Sequence, residues 1–76
     1  MKTLIIVRDS ETNAPIPYAV ISYLDTHAAT NAMGEAVIDI PAQPLSLIIK
    51  YGLFTSVVAV TPKNRMPITI SIKGGT

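Results

Sequence analysis

The sequence predicts a single all-β domain, a seven-stranded Greek-key β-sandwich. Three observations carry this. Apolar residues recur with period two, and no segment holds a 3.6-residue apolar period for three turns. Pro, Gly, Asn and Asp interrupt the apolar runs at short intervals. The runs themselves are short and rich in Ile and Val, whose stiff χ1 suits a pleated surface.

The first strand is expected over Thr3–Arg8, where an apolar run ends at Arg8-Asp9. That run is too short for a secretory h-region, which needs about 7–15 apolar residues. The polar stretch Asp9–Asn13 then reads as a solvated turn, with Asn13 able to take positive φ. Pro15 and Pro17 hold the next approach extended and exclude helix. Strands follow at Tyr18–Leu24 and, briefly, Ala28–Thr30. Asn31 can hydrogen-bond its own backbone, and Gly34 stands where a left-handed residue is needed before the next strand.

Glu35–Ile40 alternates cleanly, placing Ala36, Ile38 and Ile40 on one face. Pro41 and Pro44 close it, and Leu45–Tyr51 and Thr55–Thr61 are the next strands. Pro62 and Pro67 bracket the polar loop Lys63-Asn64-Arg65. The last strand, Pro67–Lys73, puts Ile68, Ile70 and Ile72 on one face. Gly74-Gly75-Thr76 reads as a flexible tail or linker end.

A chain of 76 residues makes one domain, 1–76. At this size only about 60% of the unfolded surface is buried, so stability is marginal without help. Cysteine is absent, so no disulfide or thiolate metal site supplies it. A dense core or a partner remains. The charged fraction is 14%, below the roughly 25% of ordinary soluble domains. Six Lys/Arg against five Asp/Glu give +1, with the cations scattered, which argues against nucleic-acid binding. No run is long enough to insert in a membrane as a helix.

Catalytic chemistry finds little support. His27 is the only histidine, expected in a surface turn beside Asp25 and Thr26 without a nucleophile. Asp9–Asn13 is rich in oxygen but lacks the spaced ligand run that calcium loops use. The loop Lys63-Asn64-Arg65 is a solvated tip or a weak contact for an acidic partner. There is no phosphate loop, Cys/His cluster or carboxylate pair, so no catalytic residue, metal or cofactor is expected.

Asp9, Thr12, Asn13, Pro15-Ile16, Ala19 and Ile21, then Thr30-Asn31, Gly34, Ala36, Ile38 and Ile40, then Leu47, Ile49 and Tyr51-Gly52 form a pattern. It resembles that of the carboxypeptidase regulatory-like domain, among the transthyretin-like (prealbumin-like) sandwiches. The resemblance runs from Leu4 to Ile72. Asn13 and Tyr18 stand where that family commonly has Gly, Asn31 replaces its Asp, and Tyr51-Gly52 inverts its Gly-Tyr. The resemblance implies a non-catalytic accessory, structural or adhesive module. The hydroxyisourate hydrolases of the same fold carry His and Arg residues and a C-terminal signature that this chain lacks.

If Ala19, Ile21 and Tyr23 face the core, as the resembled pattern implies, then Tyr18, Val20, Ser22 and Leu24 face out. Leu47 and Ile49 facing in leave Ile48 out. In Val57-Val58-Ala59-Val60 either Val58 and Val60 or Val57 and Ala59 must point outward. The expected interface therefore comprises Tyr18, Val20, Leu24, Ile48, Val58 and Val60. Charges are also sparse on Thr3–Val7 and Thr55–Thr61, and an uncharged edge can accept a strand from another chain.

The expected function is a non-enzymatic structural or interaction module. It would self-associate as a homo-oligomer or pack on a host protein, as in a surface, filament or virion assembly. An extracellular, cell-surface or virion setting is favoured over a cytoplasmic one. The alternative is an accessory module binding carbohydrate or peptide, although Trp is absent and only Tyr18, Tyr23 and Tyr51 could form a platform.

Overall fold

A computed structural model describes residues 1–63 and 66–73. Seven strands occur: β1 (Lys2–Asp9), β2 (Val20–Tyr23), β3 (Thr26–Ala29), β4 (Glu35–Asp39), β5 (Leu45–Tyr51), β6 (Phe54–Val60) and β7 (Ile68–Ile72). No helix occurs among the described residues. The strands form a three-stranded sheet, β4-β1-β7, and a four-stranded sheet, β3-β2-β5-β6. Every pairing is antiparallel except β1 with β7.

The expectation that Thr3–Val7 lies on an edge is corrected. β1 is the central strand of its sheet, with Ile5 opposite both Ala36 and Ile68. Its parallel partner comes from the far end of the chain, so the pairing leaves no local sequence signal. Burial on both flanks explains why β1 needs no gatekeeper charges.

The core lies between the sheets. Ile5, Val7, Ala36, Ile38, Ile70 and Ile72 of one sheet meet Ile21, Leu47 and Ile49 of the other, with Ile16, Ala19 and Ile40 closing the ends. The period-two sets predicted for β4 and β7 face this core, Ile68 being half-buried. Consecutive isoleucines one strand position apart would alternate in and out, so the register is fixed by which face is apolar.

The turns follow their residues' chemistry. Asp9 Oδ1 accepts the backbone N–H groups of Glu11 (2.7 Å) and Thr12 (3.3 Å), forming an Asx turn. Asn13 closes it at φ 62°, and its carbonyl accepts from Arg8 Nη1 at 3.2 Å. Asn31 Oδ1 likewise accepts from Met33 N (2.9 Å) and Glu35 N (3.0 Å). Gly34 lies at φ 75°, where a Cβ would sit 2.5 Å from the Val7 carbonyl oxygen. Positive φ and close approach both demand glycine there.

Tyr18 also has positive φ, 62°. The two positions at which the resembled pattern prefers Gly, Asn13 and Tyr18, are thus both left-handed. Asn tolerates this conformation; Tyr holds it at a cost.

One buried polar side chain ties the connections together. Thr30 Oγ1 donates to the Ile16 carbonyl and accepts from Ala19 N–H, each at 2.8 Å. The hydroxyl thereby satisfies two backbone groups that β2 cannot pair, since β2 begins only at Val20. At the opposite end of the strands the Met1 ammonium donates to Asp39 Oδ1 at 2.6 Å. That bond and charge, aided by Lys2, hold the Asp39 carboxyl below its ordinary range.

Candidate interaction surface

The outer face of the four-stranded sheet is built from alternate residues of four strands. Cross-strand register places Ser22 beside Ile48 and Ile48 beside Val57, with His27 opposite Ser22. One step along, Ala29, Val20, Lys50 and Thr55 form the next row. Val20, Ile48 and Val57 are 38%, 40% and 68% exposed. An antiparallel sheet with one solvated face should carry polar residues at such positions. Here an apolar strip runs diagonally over β2, β5 and β6, Val20 lying diagonal to Ile48 and Ile48 beside Val57, with Lys50 the one charge on the middle strands.

Two members of the expected interface are corrected in orientation. Val58 and Val60 point inward, half-buried and packed against the core; Val57 and Ala59 point out. Four apolar residues in a row satisfy either alternation, and the hairpin decides between them. Tyr51 pairs with Phe54 across Gly52-Leu53, which fixes Leu47 opposite Val58 on the inner face. Val20 and Ile48 lie on the outer face as expected.

Tyr18 and Leu24 are exposed, but as turn residues at opposite ends of β2 rather than members of the strip. Leu24 takes φ 52° at the first position of the two-residue β2–β3 loop, where type II′ turns usually carry Gly. At 80% exposure it gains little from burial to offset that conformation. Tyr18 sits at the other end, its N–H donating to the Thr30 carbonyl. The β5–β6 tip, with fully exposed Leu53 and half-exposed Phe54, lies at that same end.

His27 lies in β3 rather than in a turn, because the tight Leu24-Asp25 loop starts that strand at Thr26. Its Nδ1 is 2.9 Å from Ser22 Oγ, a pairing hidden in the sequence because it depends on this register. The pair stands exposed on an open sheet face. A nucleophile needs its base oriented by a third group and a site to hold the reacting carbonyl. Neither adjoins it among the described hydrogen bonds, so Ser22–His27 is a cross-strand contact of the kind that steadies sheets.

Asp9–Asn13 is occupied with its own backbone, as an Asx turn. It lies at the end of the strands opposite Lys63; Asn64 and Arg65 lie outside the described residues. Among the described residues no group of three His, Cys, Asp or Glu side chains could hold a metal. No described helix is long and apolar enough to cross a membrane. A shallow surface depression is lined by Pro44, Leu45, Ser46, Ala59, Val60 and Thr61 beside the end of β6.

Comparison with protein-family models, curated proteins and solved structures returned no match to this chain.

Proposed function

We propose that this chain is a non-enzymatic interaction module of transthyretin-like Greek-key type that assembles with copies of itself through exposed apolar sheet surface. The observation that carries the reading is the strip Val20, Ile48 and Val57 on the outer face of the four-stranded sheet. Contiguous exposed apolar area of this kind marks protein contacts. The low charge fraction supports it, and so does the left-handed conformation of the two positions where the resembled family prefers Gly. Placing lysine at Val57 tests the reading. Val57→Lys should weaken association at least tenfold while far-ultraviolet circular dichroism stays unchanged. Undiminished association of the folded variant would count against this face.

One observation favours a second reading, an accessory module binding carbohydrate or peptide. Exposed Tyr18, Leu53 and Phe54 gather at one end of the four-stranded sheet. Rings presented at loop tips can stack on sugars or peptide side chains. This reading predicts amide chemical-shift changes confined to that end when glycans or peptides are added.

A further inference from the structure

The four sheet edges are not alike. β3 is only four residues long. β4 carries Glu35 and Asp39. β7 is short and flanked by Pro67 and Lys73. Each of these is a recognised way of blunting an edge. β6 has none of them: Phe-Thr-Ser-Val-Val-Ala-Val spans seven residues without charge or proline, and among the described residues it pairs only with β5.

We infer that β6 joins the β6 strand of a second copy, antiparallel, about a two-fold axis through Val57. The inference rests on the self-assembly reading above and names its contact. The backbone sets the register. In the two-residue β5–β6 turn the Phe54 N–H points back to Tyr51, and the pattern then alternates. The N–H and C=O groups of Thr55, Val57 and Ala59 therefore point outward along the free edge. Centring the two-fold on Val57 pairs Val57 with itself, and Thr55 with Ala59 of the second copy. All the outward groups of these residues are then matched, and no charge meets a like charge.

The side chains agree. Val58 and Val60 face the core but stay half-buried, whereas Leu47 and Ile49 on the neighbouring strand are fully buried. Among the described residues no strand lies beyond β6 to cover this flank. In the two-fold register Phe54 meets Val60 of the second copy, and Ser56 meets Val58. The same pairing therefore covers the open flank. On the outer face it brings the two Val57 side chains together, joining the apolar strips of both copies across one continuous sheet. A heterologous strand could also lie on this edge, but a second copy alone continues the apolar strip of Val20, Ile48 and Val57 with an identical one.

The absence of cysteine makes the test direct. Val57→Cys would place two thiols in a hydrogen-bonded pair with Cα atoms about 5.5 Å apart, within the roughly 4.4–6.8 Å that a disulfide spans. Ile48→Cys would hold its thiols three strand spacings apart, about 14 Å, beyond that reach. Under mild oxidation Val57→Cys should become a covalent dimer with unchanged circular dichroism, and Ile48→Cys should not. In the full-length chain Ala59→Pro should raise the dimer dissociation constant at least tenfold, because it removes only an outward N–H. An associating wild type whose Ile48→Cys variant cross-links while Val57→Cys does not would overturn the edge contact and leave face-to-face assembly standing. A folded Ala59→Pro that dimerises as tightly as the wild type would also overturn it. A wild type that stays monomeric would overturn both.

Discussion

Individual residues in this chain hold conformations that their chemistry either explains or resists. Thr30 is explained. Its hydroxyl bridges Ile16 and Ala19 in a dry environment, and Thr30→Val would strand both backbone groups. Such groups cost roughly 1–3 kcal/mol when left unpaired, and chemical denaturation should show a loss of about 2 kcal/mol with the slope unchanged. Gly34 is equally constrained: Gly34→Ala meets the Val7 carbonyl as well as a left-handed φ. Leu24 resists explanation by stability. A left-handed non-glycine residue costs about 1–2 kcal/mol, and Leu24 is exposed. Leu24→Gly should raise stability by about 0.5–1 kcal/mol after the added chain entropy of glycine. A decrease would show that the Leu24 side chain makes a contact within the fold that its exposure conceals.

At the scale of elements, legibility in the sequence varied with how local the determining interaction is. β4 and β7 were readable because Ala36-Ile38-Ile40 and Ile68-Ile70-Ile72 alternate without ambiguity. The Asp9 and Asn31 turns were readable because each is closed by its own side chain. β6 was not, since Val57-Val58-Ala59-Val60 fits either face and only pairing with β5 decides. The central place of β1 and the Ser22–His27 contact were hidden for the same reason: both arise from register between strands. The candidate surface was half legible, with Val20 and Ile48 placed by alternation and Val57 revealed only by the hairpin. Lysine scanning of β6 checks this orientation. At concentrations low enough to keep the chain monomeric, Val57→Lys should change stability by no more than about 0.5 kcal/mol, whereas Val58→Lys, pushing an ammonium against the core, should cost about 2 kcal/mol or more.

For the whole molecule, size and surface point the same way. A sandwich of 76 residues without disulfides has a small core, and Val20, Ile48 and Val57 leave apolar surface exposed on one sheet face, beside the half-buried Val58 and Val60 of one flank. Association through those surfaces stabilises the fold by mass action. The thermal midpoint should therefore rise with protein concentration in the wild type and lose that dependence in Val57→Lys. Among the described residues the one Ser–His contact stands on an open face. The most direct test of assembly is sedimentation equilibrium on the wild-type chain from low to high micromolar concentration. The account predicts a mass that climbs from monomer to dimer or beyond; a mass fixed at 8.1 kDa throughout would contradict it.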